Sequence, residues 1–259
     1  MVTHVLASNP GPLTLSGTNS YLIGSPAWLI DPGPQRPDHL DALLAAIEQH
    51  GGLAGIALTH HHLDHAELAP ELRRRFDVPI AAAAPILSGV FSEPALEGLE
   101  IDTVLEDGAR VGPLTALHTP GHAPDHFVFV AGRELFSGDT VLGTGSVFVA
   151  PGSDSLRHYL ASLRRLRKLE IATIHPGHGP RVTDAHGKLD QYIAHRLDRE
   201  RRLVEALDRG LRTHAELLDA AWSDAPLALR RAARLTLEAH LEKLAGEHRL
   251  PDGVERLDM

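Results

Sequence analysis

The sequence predicts an α/β fold of strands and helices followed by a smaller helical region, and three observations predict it. Short apolar runs of strand length recur, such as Gly55-Ile56-Ala57-Leu58, too short for buried helices. Four such runs end in turns that carry histidine or aspartate: His60 to His65, His122, Asp139 and His178. From about residue 185 the strands stop, and long runs rich in Arg, Glu, Leu and Ala begin. The expected boundaries are 1–185 for an α/β domain and 186–259 for a helical one.

In order, residues 9–20 are dominated by Pro, Gly, Ser and Asn and read as a shaped loop. Tyr21–Ile23 and Ala27–Ile30 read as strands joined by a turn at Gly24–Pro26, and Asp31-Pro32-Gly33-Pro34 ends the second. Residues 38–49 predict a helix, with Asp38 as N-cap and Leu40, Leu43, Leu44 and Ile47 at helical spacing. The strand before Thr59 leads into the histidine turn, and a helix is expected from Ala66 through Phe76. Pro79–Ala83 is a strand, while 85–108 carries no clear pattern. Strands are expected at 114–119, 126–130 and 134–136, a helix at 155–169, and a strand at 171–174. Helices follow at 188–210, from Thr213, where Glu216 suggests a capping box, and at 227–247. Pro251-Asp252-Gly253 suggests a hairpin within 248–259. Three helices and a hairpin are the order of a winged-helix module.

Composition narrows the chemistry. At 259 residues, 43% hydrophobic and 23% charged, the chain suits a globular protein. No apolar run approaches membrane-spanning length, and the first twenty residues lack the pattern of a secretory signal, so a cytoplasmic location and no membrane partner are expected. Cysteine is absent, which removes thiolate nucleophiles and cysteine-held zinc, so any metal is held by nitrogen and oxygen. A net charge of −9 gives no global field for nucleic acid.

The stretch Thr59-His60-His61-His62-Leu63-Asp64-His65 puts several ligand-type side chains in one turn. With His122, Asp139 and His178 added, seven residues suffice for two metal ions roughly 3.5–4 Å apart. One ion could take His60, His62 and His122, and the other Asp64, His65 and His178, with Asp139 between them. A water held between two such ions is hydroxide near neutral pH and needs no serine or cysteine nucleophile. Pro-Gly-His occurs at two of the turns, and glycine there lets backbone pass without a Cβ. His61 reads as solvent-facing, His118 and His175 as supporting or buried histidines, and His126 as a residue that could orient a ligand.

The motif His-x-His-x-Asp-His at 60–65, with the later His122, Asp139 and His178, resembles the metallo-β-lactamase superfamily. Asn9-Pro-Gly-Pro, Gly17 to Tyr21, Thr119 to His126, Ser137 to Gly143, His175 to Pro180 and Tyr192 to Glu200 look like its β-lactamase-like protein 2 group. The resemblance implies a four-layer αβ/βα sandwich with a dinuclear site at its edge and a small C-terminal winged-helix-like domain. It implies a hydrolase with two divalent ions, zinc foremost, iron or manganese as alternatives. It makes Asp64 and His195 candidate catalytic residues, His195 as a stabiliser of the developing oxyanion or the leaving group. Asn19, Tyr21 and Arg196 become candidate substrate-binding residues. From the residues alone, Arg196, Arg199, Arg201 and Arg202 alternate with Asp198 and Glu200 as on a solvated helix face. Glycines at 143 and 145 mark 141–153 as a candidate substrate flap, with Phe148 as pocket wall or core.

The expected substrate is a small thioester or other acyl compound, or single-stranded RNA, and a homodimer is compatible with the sequence. An aromatic content of 4% and the acidic charge weigh mildly against RNA. The alternatives are a glyoxalase-II-like hydroxyacyl-thioester hydrolase and a nucleic-acid-binding module using the winged helix. Glyoxalase II usually has an acidic residue where this chain has Gly179. The best-known zinc β-lactamases place cysteine where this chain has Asp139, which argues against β-lactam hydrolysis.

Overall fold

Alternation along short strands builds the core. Leu22, Leu29 and Ile56 point to one face of a sheet, and their neighbours Tyr21, Ile30 and Ala57 point to the other, each set buried in a different hydrophobic cluster. The computed structural model describes residues 2–84 and 99–257. The first sheet has six strands in chain order: β1 (Val2–Leu6), β2 (Asn19–Gly24), β3 (Ala27–Ile30), β4 (Leu53–Ala57), β5 (Ile80–Ala82) and β6 (Thr103–Val104). The pairings from β1 to β3 are antiparallel and those from β3 to β6 parallel. The second sheet has five: β7 (Arg110–Val111), β8 (Leu114–His118), β9 (Phe127–Ala131), β10 (Glu134–Gly138) and β11 (Thr173–Pro176), in the order β11-β10-β9-β8-β7. Only the β10–β11 pair is parallel.

Two compact units make up the chain. The first comprises residues 1–119, 124–145 and 170–185 and contains both sheets. Its helices are α1 (Pro37–Gln49), α2 (Leu63–Ala66) and α3 (Ala69–Phe76). Leu43, Ile47 and Leu72 from α1 and α3 cover the outer face of the first sheet. Its inner face meets Leu114, Ala116, Phe127, Phe129 and Phe136 of the second. The single helix expected over 66–76 is broken. Leu68 donates its N–H to Gly33 O, 3.1 Å away, and Pro70 restarts the helix, since proline fits a first turn but not an interior.

The second unit comprises 120–123, 146–169 and 186–259. It holds α4 (Ser155–Leu166), α6 (His214–Ala221), α7 (Arg230–Gly246) and nearly all of α5 (Ala185–Asp208). Leu203 and Leu207 of α5 pack with Leu217 and Leu218 of α6, Trp222, and Leu237, Leu241 and Leu244 of α7. The capping box forms: Thr213 Oγ1 accepts from Glu216 N, and Glu216 Oε2 accepts from Thr213 N at 3.0 Å. A 3-10 turn at Leu227–Leu229 precedes α7.

Two expectations fail here. Among the described residues the tail forms a turn at Asp252–Gly253 but no strand. Its polar groups are spent on α6, α7 and the connection before α6 instead. Glu255 N donates to Arg212 O, Glu255 Oε2 accepts from His214 N, and Leu257 N donates to Glu238. The solvated face on α5 is half wrong as well. Arg196, Arg199 and Glu200 are buried, whereas Arg201 is exposed and paired with Asp198 and Glu205. Strands β1, β6 and β7 were not legible, and part of the unpatterned stretch 85–108, residues 85–98, lies outside the described residues. Among the described residues no helix is long and apolar enough to cross a membrane.

Candidate metal centre

The end of β4 delivers the histidine turn, and a buried aspartate fixes it from β3. Asp31 takes a left-handed backbone conformation (φ 50°), which aspartate tolerates better than most residues. Its Oδ1 accepts from Thr59 N at 2.8 Å. Its Oδ2 accepts from Thr59 Oγ1 at 2.7 Å and from His65 Nδ1 at 2.9 Å. The consequences are specific. The proton of His65 sits on Nδ1, which leaves the Nε2 lone pair facing away from Asp31. Thr59 has spent its one hydroxyl proton on Asp31, so its oxygen accepts from His60 Nδ1, 3.0 Å away. That leaves a lone pair on His60 Nε2, which lies 2.9 Å from His62 Nδ1.

The second sheet supplies the other side. Asp139 follows β10 and His178 follows β11. Gly17 O lies 3.2 Å from His178 Nδ1, and a carbonyl can only accept, so His178 Nε2 also carries a lone pair. It faces His65 Nε2 at 3.3 Å. Asp64 Oδ2 is 3.1 Å from His178 Nε2 and 3.7 Å from His65 Nε2. Asp139 Oδ1 is 3.5 Å from both. Two Nε2 atoms and two carboxylates thus converge where a positive charge, from protons or a bound cation, is required. Two groups, His60–His65–Asp139 and Asp64–His65–His178, have ligand atoms within 4.8 Å of one another. This nitrogen and oxygen donor set fits divalent metal ions, with histidine tautomers already fixed by their outer partners.

The same demand shows in the acidities of the metal-free protein. Burial disfavours charge on His65, but Asp64, Asp139 and Asp31 outweigh it and raise its pKa well above the usual range. His178 is likewise opposed by burial but raised to about 9, chiefly by Asp139. Burial opposes ionisation of Asp64 as well, yet the adjacent His65 draws its pKa down to about 2. Asp139, opposed by burial in the same way, is held well below its usual range by His178 and His65.

Supporting residues complete the arrangement. Asp139 N donates to His126 Nε2 at 3.1 Å, so His126 orients the aspartate's backbone. Asp125 Oδ1 lies 2.9 Å from His61 Nδ1 and ties the histidine turn to the segment leading into β9. A Cβ on Gly177 would fall 2.6 Å from His65 Cε1 and 2.7 Å from Asp139 Oδ1, so only glycine lets this turn pass the ligands. Asn19 donates to Pro176 O and Gly179 O, both at 2.8 Å, and Tyr21 donates to Pro176 O at 2.8 Å. Both therefore brace the His178 turn. His175 is paired with Glu134 at 2.5 Å and stacked on Phe136, and His118 lies 3.0 Å from Pro124 O. Sequence reasoning missed Asp31 and Asp125. An aspartate at a strand end, just before Pro-Gly, was the available signal for the first.

His122, His195 and Arg196 belong to the second unit. His122 Nδ1 lies 2.8 Å from Phe148 O. His195 Nε2 accepts from Arg199 Nε at 3.3 Å, and its Nδ1 faces Ser146 Oγ at 3.5 Å. Burial and then the charges of Arg196 and Arg199 lower its pKa to about 4, so the ring is neutral at neutral pH. Arg196 is only 2% exposed.

A sequence model of the Metallo-beta-lactamase superfamily matches residues 13–178. The chain belongs to the metallo-β-lactamase superfamily. Its curated relatives include the β-lactamase-like protein 2 homolog of Caenorhabditis elegans, 34% identical over 94% of this chain and 83% of that one. The atrochrysone carboxyl ACP thioesterase of Aspergillus fumigatus is 35% identical over 87% of this chain and 74% of its own length. Among solved structures, the metallo-β-lactamase family protein TTHA1429 from Thermus thermophilus covers 95% of this chain and 94% of that one, with a TM-score of 0.77 and 24% identity, which shows the fold. TTHA1623, solved in a di-iron-bound form, is 32% identical with a TM-score of 0.56 over 71% of this chain and 96% of its own. The chain is thus a hydrolase of the metallo-β-lactamase superfamily with a candidate His/Asp site for divalent metal, and it resembles the β-lactamase-like protein 2 group over most of its length.

Proposed function

We propose that this chain is a dinuclear metal hydrolase that cleaves a thioester or a closely related acyl bond. The observation that carries the metal is the convergence of the His65 and His178 Nε2 atoms on the Asp64 and Asp139 carboxylates. In this reading His60, His62 and His122 hold one ion, Asp64, His65 and His178 hold the other, and Asp139 serves both. Zinc is the expected metal, with manganese or iron as alternatives; a 32% identical relative bound two irons. When bound, the two ions supply Lewis acidity, bringing the pKa of water toward neutrality and polarising the substrate carbonyl. Asp31, through Thr59 and His65, fixes the tautomer and the aim of the ligand nitrogens. Asp64 contributes charge and position to the reacting centre. A neutral His195 acts as a hydrogen-bond donor to the developing oxyanion rather than as a proton donor. The acyl substrate is favoured over RNA by the charge of −9, the aromatic content of 4% and the thioesterase relative. We place the protein in the cytoplasm.

The test is a parallel assay. Protein purified without chelator should contain close to two metals per chain and hydrolyse an acyl thioester in preference to single-stranded RNA, a lactone or a β-lactam. Asp64→Ala and His65→Ala should each abolish that activity. Preferential RNA cleavage would overturn the substrate. Activity that survives both substitutions would overturn the dinuclear mechanism.

A further inference from the structure

We propose that Arg196 is a positioning residue for His122, holding in place the two pieces of backbone that fix the imidazole. The proposal rests on the reading of His122 as a metal ligand.

His122 is supported from two sides within the second unit. In front, Phe148 O lies 2.8 Å from Nδ1. A carbonyl only accepts, so Nδ1 carries the proton and Nε2 is left with the lone pair a metal needs. Behind, the chain turns through Gly121 at φ 145°, pressed against α4. A Cβ there would fall 2.5 Å from Tyr159 Cα. Ser162 Oγ donates to Pro120 O at 2.9 Å and fastens the same turn.

Arg196 reaches both supports. Its Nη2 donates to Val147 O, the carbonyl next to the one that His122 uses. Its Cζ lies 5.3 Å from the centroid of the Tyr159 ring, in cation–π range. One planar guanidinium thus braces the 147–148 backbone and the tyrosine behind Gly121. A lysine could not do both, because an ammonium is a point charge without the flat fork.

The energetics need a reason of this kind. Arg196 is among the largest fully buried side chains, and among the described residues no carboxylate pairs with it. Its Nε has no hydrogen-bond partner there either. Burying a cation without a counter-charge is expensive, so a hydrophobic residue of similar volume would be the more stable filling. The positioning role accounts for the arginine. It replaces the substrate contact expected of Arg196 from the sequence, because a side chain this buried has no free face to offer.

The experiment is a metal titration. Metal-free wild type, Arg196→Met, Arg196→Lys and His122→Ala are refilled with Zn²⁺ against a chromophoric chelator, which resolves the two binding steps. In the Arg196→Met variant one step should weaken by about 10–100-fold, the range for loss of a ligand's outer support, while the other stays at the wild-type value. Arg196→Lys should fall between, and His122→Ala should lose that same step outright. If both steps weaken together, or neither moves while the melting temperature drops, Arg196 is only a packing residue and the proposal fails. If His122→Ala still takes up both ions normally, the ligand assignment fails and the proposal with it. Should Arg196→Met not fold, Arg196→Lys carries the test alone, with a selective loss of one step supporting it and unchanged binding overturning it.

Discussion

Two groups of histidines in this chain meet opposite surroundings. In the first unit, His65 and His178 sit among Asp31, Asp64 and Asp139, and their pKa values rise against the pull of burial. In the second, His195 and His240 are pushed down, first by burial and then by Arg196, Arg199 and, for His240, Lys243. His240 is 0% exposed and meets the Trp222 ring edge-on, and among the described residues neither of its ring nitrogens has a hydrogen-bond partner. Burial is common to both groups, so burial does not distinguish them. The sign of the neighbouring charge does: carboxylates make one group a trap for cations, and arginines keep the other neutral.

The largest effect should come from removing the charge that defines the first group. Asp139→Asn should lower hydrolysis about 1,000-fold, the scale of several kcal/mol of lost transition-state stabilisation. In the metal-free protein it should also bring the His178 titration down from about 9 toward 6.5, followed by histidine NMR. An unshifted His178 would mean that Asp139 is not the source of the raised pKa.

Next, Asp31→Asn keeps the shape of the carboxylate but not its charge. Asparagine can present its NH₂ to His65 and spoil the tautomer. Metal affinity should fall by about 10–100-fold with little change in KM, read by chelator competition and steady-state kinetics. Retained affinity would reduce Asp31 to a structural brace.

The smallest effect should be in stability against pH, and the two groups should slope in opposite directions. The raised His178 stabilises the metal-free fold fully below about pH 6.5, a contribution lost as pH rises through about 9, and the raised His65 acts in the same direction. The depressed His195 contributes above about pH 6.5, a contribution lost as pH falls toward about 4, and the depressed His240 acts in the same direction. The two tryptophans lie one in each unit, Trp28 and Trp222. Melting Trp222→Phe and Trp28→Phe proteins by fluorescence therefore follows each unit separately. Parallel slopes in both would undo the contrast.

The turns that carry the candidate ligands were legible because each is local: a strand, a bend and a ligand-type side chain within a few residues. The supports were not, because each acts across a long stretch of chain. Asp31 braces His65 from 34 positions away. The burial of Arg196 and Arg199 was hidden for the same reason. Nothing in a helix of alternating charges announces that Val147 will take one guanidinium and Ala221 with Asp224 the other. Strand β6 is two exposed residues long, too short to show alternation. The tail read as a hairpin because its turn residues are sound, but a hairpin also needs two arms that pair, and these are held by α6 and α7.

The two sheets have a consequence for how the chain is held together. His60, Asp64 and His65 follow a strand of the first sheet, whereas Asp139 and His178 follow strands of the second. Neither sheet assembles the cluster alone, and Gly177 must pass within contact of His65 before the ligands meet. A metal ion held by this cluster would therefore join the two sheets as a rivet.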